Sequence, residues 1–184
     1  RGTLTEEEFL RQVEEIGIAV IGQSADLAPA DKKMYALRDV TATVDSIPLI
    51  VSSIMSKKLA AGTDHIVLDV TCGNGAFMQT LPEAEMLARE MVKIGKACKK
   101  STAALITSME EPLGFAVGNA LEVRESVEVL QNKGPEDLRE VSLALASKML
   151  SLCHGWTAEE SRSKAEEALA DGSAYAKFEQ WIAR

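Results

Sequence analysis

Apolar positions recur along this chain in two rhythms, one near four residues and one nearly continuous. Phe9, Val13 and Ile16 form the first helical stripe. Thr5 ahead of Glu6-Glu7-Glu8 supplies a capping hydroxyl followed by acids that suit the positive end of a helix dipole. Ile18 to Gly22 is a short apolar run closed by glycine and reads as a buried strand. Pro29 breaks the connector that follows, and a helical segment begins about Asp31. A further helix starts near Ser46 or Pro48, with Ile47, Val51, Ile54 and Met55 inward and Gly62 as its stop. Ile66–Val70 is the clearest strand, nearly all apolar, as in a strand covered on both faces. A helix from about Pro82 to Lys96 turns Leu87, Met91 and Ile94 inward, and Ala103–Thr107 is a third strand. Helices follow near Asn119–Leu130, with Ala120, Val123, Val127 and Leu130 as its stripe, and after Gly134-Pro135, with Leu138, Val141 and Leu145. The tail from Thr157 reads as two more helices.

Strand and helix alternate from residue 64 to about 150, which predicts parallel βαβ units. The fold class is therefore α/β, a central sheet with flanking helices. Residues 31–62 are helical only and interrupt the alternation, as a small helical lobe segment does.

Composition narrows the function classes. The 184 residues are 46% apolar and 26% charged, ordinary for a globular chain. Aromatics are 4%, against a base-stacking single-strand binder. The net charge of −8 argues against nucleic-acid binding, where phosphate contacts dominate affinity. No apolar run reaches transmembrane length, and no membrane partner is expected. Cys72, Cys98 and Cys153 have no metal-type spacing and read as reduced thiols of a cytoplasmic protein. The chain opens with Arg1-Gly2-Thr3 and no methionine, which suggests a processed, tagged or excised piece.

One stretch runs against the acidic average. Residues 31–58 hold Lys32, Lys33, Arg38, Lys57 and Lys58 against Asp31, Asp39 and Asp45. Ser53 and Lys57 are four apart and share a helix face, and Arg38 lies in the preceding helical segment. An Arg–Lys fork with a hydroxyl suits a planar, electron-rich ligand such as a pyrimidinedione. A solvated charged face fits the same spacing. The loop 70–77 carries Gly73-Asn74-Gly75 after a strand, where glycines allow either a tight turn or a ligand's close approach. It lacks the third glycine and the acidic partner of a dinucleotide fingerprint. Cys72 has no evident base to activate it, and His65 and His154 lack a ligand cluster. Glu110-Glu111, or Glu122 and Glu125, could serve a hard cation together with backbone carbonyls, or could be solvated surface acids.

Several strings go further. Tyr35–Ile50 (YALRDVTATVDSIPLI), Ser52–Leu59 (SSIMSKKL), Val67–Val70, Gly75–Met78, Pro112-Leu113-Gly114 with Val117–Val123, and Gly134–Leu138 closely resemble the pyrimidine-nucleoside and thymidine phosphorylases, in order and from about residue 5 to the end. The resemblance implies that Arg38, Ser53 and Lys57 hold the pyrimidine ring and that Arg38 and Lys57 stabilise the departing base. Phosphate is then the co-substrate, no organic cofactor is needed, and the products are free base and a pentose 1-phosphate. Some members bind a cation, at positions matching Leu113, Ala116 and Glu125. The family's homodimers have a helical lobe and an α/β lobe. By analogy residues 1–30 and 63–184 belong to the α/β lobe and 31–62 to the helical lobe.

The match has gaps. The family's Lys-x-Ser segment, glycine-rich phosphate loop and catalytic histidine have no counterpart here, and Thr71 stands where a lysine is usual. This piece is therefore expected not to catalyse alone, and absent sheet neighbours would leave unpaired edges and exposed apolar patches. Two other readings stay open on the residues: a non-catalytic pyrimidine-binding module, and a phosphoribosyltransferase of related fold, which would depend on pyrophosphate.

Overall fold

The computed structural model describes residues 4–20 and 27–184. Among them are eight helices and two strands: α1 (Glu6–Ile16), α2 (Pro29–Val40), α3 (Ile47–Ala60), β1 (His65–Cys72), α4 (Leu81–Ala97), β2 (Ser101–Ser108), α5 (Asn119–Leu130), α6 (Glu136–His154), α7 (Ala158–Ala170) and α8 (Ser173–Ile182). The α/β class holds. The expected first strand does not form over its described part. Ile18–Val20 lie in neither helix nor strand, and Ile21 and Gly22 fall outside the described residues. Helix α1 closes before this run at Gly17, whose left-handed φ of 77° ends it. Its start is a full capping box, with Thr5 Oγ1 accepting from the Glu8 amide and Glu8 accepting from the Thr5 amide.

β1 and β2 pair in parallel over all eight residues, His65 opposite Ser101 and Cys72 opposite Ser108, with α4 as the crossover. Burial alternates along β1: Ile66, Leu68 and Val70 are buried, Val67 is half-buried and Asp69 is exposed. The strand is thus covered fully on one face, not on two as its apolar run suggested. On the other face Thr107 donates to Asp69 across the ladder at 2.7 Å, a pairing that suits a wet surface. The buried face packs against Ala84, Leu87, Ala88 and Met91 of α4 and against Val51 and Met55 of α3, one continuous apolar cluster. Each fully buried aliphatic side chain there contributes roughly 1.5–3 kcal/mol. Helix α3 is thereby fixed directly to the strand–helix core, which sets the place of its polar residues.

A second, smaller core joins Leu143 of α6 with Ala165 and Leu169 of α7. The α5 stripe differs from expectation. Ala120 and Val123 face outward, and the inward positions are Glu125 and Val129. On α6, Leu143 is buried while Leu138, Val141 and Leu145 are half-buried. Exposed apolar side chains include Phe77, Leu113, Phe115 and Val117 in the loops after the C-terminal ends of the strands.

Candidate functional site

Helices α2 and α3 meet through a short turn that Arg38 organises. Its carbonyl accepts from the amides of Thr41 and Thr43, and its Nη2 donates to the Val44 carbonyl. Ala42 takes a left-handed φ of 54° inside this turn. Pro29 and Pro48 lie in the first turns of the two helices, where their missing amide protons cost nothing. The turn folds α2 back so that its polar face meets the Ser53–Lys57 face of α3.

The result is a compact charged cluster. Lys57 Nζ donates to Asp31 Oδ2 at 2.8 Å and to Ser53 Oγ at 3.0 Å. The Tyr35 ring lies beside both cations, 5.3 Å from the Arg38 guanidinium carbon and 6.0 Å from Lys57 Nζ. Arg38 and Ser53 are buried, 7% and 6% exposed, yet the Arg38 Nε has no hydrogen-bond partner. Burial pushes the Asp31 carboxyl up, but the hydrogen bonds from Lys57 and Ser53 and the charges of Lys57 and Arg38 outweigh it and hold the group below the usual aspartate range. The structure therefore brings Ser53 and Lys57 into contact and sets Arg38 beside the Tyr35 ring that Lys57 also approaches. Sequence reasoning missed Asp31 and Tyr35 as members. Their signal was present: Asp31, Tyr35 and Arg38 are spaced four and three residues apart, one face of α2.

The glycine loop after β1 is built differently. Met109 donates its amide to the Cys72 carbonyl at 2.7 Å, and Gly75 donates to the Met109 carbonyl at 3.0 Å. At Gly73, with φ 132°, a β-carbon would sit 2.8 Å from the Glu110 amide nitrogen. The close approach this glycine allows is to the chain following β2, so the structural-turn alternative accounts for it. Asn74 donates to Glu110 across the same gap. Cys72 is half-buried, Cys98 and Cys153 are exposed, and all three are free thiols. His154 stacks on Trp156 at 4.2 Å. Among the described residues no group of three or more His, Cys, Asp or Glu side chains is placed to hold a metal ion.

Of Leu113, Ala116 and Glu125, the structure joins Glu125 to Ala116 at the loop 113–118, and Leu113 lies exposed in the same loop. The Glu125 carboxylate is buried, and its Oε1 accepts from the Phe115 amide at 2.9 Å and the Ala116 amide at 3.1 Å. Asp137 accepts from Gly114 at 2.8 Å and Glu122 from Gly118 at 2.9 Å. The backbone bonds from Gly114 and Leu138 hold the Asp137 carboxyl below its usual range. Carboxylate and carbonyl oxygens are the ligand chemistry of a hard cation, and Glu125 brings a carboxylate to this loop. Its Oε1 is already committed to two amides.

A cleft of about 690 Å³ lies elsewhere, between α5, α6, α7 and α8, walled by Val129, Leu143, Trp156 and Leu169 among others. Several of its polar groups bond within their own helices. Ser142 donates to the Leu138 carbonyl, Ser126 to the Glu122 carbonyl and Lys164 to Glu167. Arg38 Nε, a buried donor without a partner, lies instead in the α2–α3 cluster.

A family model described as "Glycosyl transferase family, a/b domain" matches residues 3–175. The chain belongs to this glycosyl transferase family. Within it, the chain is 56% identical over 180 residues to a pyrimidine-nucleoside phosphorylase of Staphylococcus haemolyticus, covering 97% of this chain and 42% of that protein. Pyrimidine-nucleoside phosphorylases of Bacillus subtilis and Geobacillus stearothermophilus are each 54% identical, again over 42% of their length. The resemblance noted in the sequence is borne out. The chain spans less than half the length of these curated relatives. Among the described residues no helix is long and apolar enough to cross a membrane.

Proposed function

We propose that the protein carrying this sequence cleaves pyrimidine nucleosides with phosphate, taking thymidine, uridine and deoxyuridine to free base and pentose 1-phosphate in nucleoside salvage. The observation that carries the reading is the α2–α3 cluster. A buried guanidinium keeps a donor without a partner, beside an ammonium and a hydroxyl on the facing helix. A pyrimidinedione offers ring carbonyl oxygens that such donors match.

In this reading Arg38, Ser53 and Lys57 bind the base. A phosphate oxygen forms the bond to the anomeric carbon while the glycosidic pair of electrons leaves with the ring nitrogen. The negative charge then spreads to the base carbonyls, where Arg38 and Lys57 stabilise it, and the ring nitrogen finally takes a proton. Such preorganised donors contribute most where charge develops, roughly 10²–10³ in rate for one of them. Leu113, Ala116 and Glu125 hold a cation, residues 31–62 belong to a helical lobe and residues 1–30 and 63–184 to an α/β lobe, and the protein works as a cytoplasmic homodimer. The named activity of the relatives and their identity of 54–56% over 97% of this chain support this reading over a phosphoribosyltransferase or a passive binding module.

The test is release of thymine and uracil from their nucleosides by the intact protein, with and without phosphate. Release that needs phosphate supports the reading. A requirement for pyrophosphate, or release of neither base, overturns it.

A further inference from the structure

Lys57 reaches the base site on a long, flexible stem, and something must hold its ammonium in place. Two of its three donors are committed, one to Ser53 Oγ on its own helix and one to Asp31 Oδ2 on the facing helix. No described residue takes the third. Asp31 is itself buried, 9% exposed, and lies in the first turn of α2, where a carboxylate also meets the positive end of the helix dipole. The same helix face carries Arg38 two turns on. One rigid element thus carries both the guanidinium and the anchor of the ammonium. The charges close as well: Arg38 and Lys57 give two positive charges and Asp31 one negative, leaving a single positive charge against a base that departs with a single negative one.

We propose that Asp31 is a positioning residue of this site, fixing the Lys57 ammonium so that its free N–H meets the departing base and trimming the two cations to one net positive charge. It touches no reacting atom and acts only through Lys57. The inference rests on the phosphorolysis reading and names a residue that reading does not use.

The experiment is steady-state phosphorolysis by the intact protein carrying Asp31→Asn, Asp31→Glu, Lys57→Met, or Asp31→Asn with Lys57→Met. Asp31→Asn should lower kcat on the order of 10- to 100-fold, the scale of a misplaced catalytic group, while KM for phosphate stays within about twofold. Asp31→Glu keeps the charge and should recover part of the loss. In the Lys57→Met background, Asp31→Asn should add nothing, because its partner is gone. Should Asp31→Asn not fold, Asp31→Glu alone must still show a lowered kcat with phosphate KM unchanged. A folded Asp31→Asn protein with full kcat, or one that loses as much again without Lys57, overturns the proposal and leaves the phosphorolysis reading standing. An unaltered protein that releases no base overturns both.

Discussion

Two polar regions of this chain look alike in composition and differ in their accounts. The loop 113–118 and the α2–α3 cluster each combine buried charge with a turn between elements. At the loop three carboxylates are spent on backbone amides: Glu125 Oε1 accepts from Phe115 and Ala116, Asp137 from Gly114 and Glu122 from Gly118. At the cluster the account stays open, because Arg38 Nε is buried without a partner and Lys57 has a donor to spare. A buried charge that satisfies its neighbours supports the fold. A buried charge with capacity left over costs stability unless something arrives to use it, and that is the mark of a site. Ser161 Oγ in α7 is also buried without a partner, but it carries no charge.

The comparison breaks most sharply under substitution. Lys57→Ala should lower kcat/KM for thymidine by roughly 10²–10³, read from initial rates of the intact protein. A loss under tenfold would place Lys57 with the structural groups. At the other region Gly114→Ala should cost stability instead. Its φ is 70°, and an added β-carbon would lie 2.3 Å from Glu125 Oε2, so a loss of about 1–3 kcal/mol is expected in denaturant unfolding. Glu125→Gln keeps the shape and one acceptor oxygen but weakens the bonds to Phe115 and Ala116, for about 1–2 kcal/mol by the same measurement. If either loop substitution left stability intact, the structural role given to these carboxylate–amide bonds would be wrong.

A smaller effect separates the regions by pH. Asp31 is held below the usual aspartate range, so what its ionised form contributes is present above about pH 3.9 and is lost as pH falls through its lower folded value. The melting temperature of the unaltered chain should therefore exceed that of Asp31→Asn at neutral pH, and the gap should close toward pH 3. A gap that widened on acidification would contradict the pairing with Lys57.

Much of this was legible in the sequence. Seven helices and both observed strands follow from the apolar spacing, and α1 from Thr5 and its acids. What misled was local composition without neighbours. Ile18–Val20 is as apolar as a strand, but a strand needs a partner and the described residues offer it none. The run Ile66–Val70 suggested two covered faces, yet only one is fully covered, because burial depends on what packs there. On α5 the apolar stripe lost to Glu125, whose carboxylate turns inward to meet the loop amides. A pattern of side-chain polarity cannot register demand from backbone donors. Arg38, Ser53 and Lys57 were named through the family resemblance, because type and spacing alone fit a solvated charged face as well. Asp31 and Tyr35 were passed over because a charge count sees Asp31 only as an offset to the basic stretch, while the helix face places it against Lys57.

The claim on which the rest depends is that the open donors of the α2–α3 cluster take a pyrimidine base. Calorimetric titration of the intact protein with uracil and thymine, beside its Arg38→Met variant, tests it most directly. The account predicts saturable binding of both bases by the unaltered protein and at least a tenfold weaker affinity in the variant, since about 1.4 kcal/mol corresponds to tenfold and a hydrogen bond to a charged group is worth about that or more. Equal affinity in the two proteins would contradict it, and the base would then have to bind elsewhere.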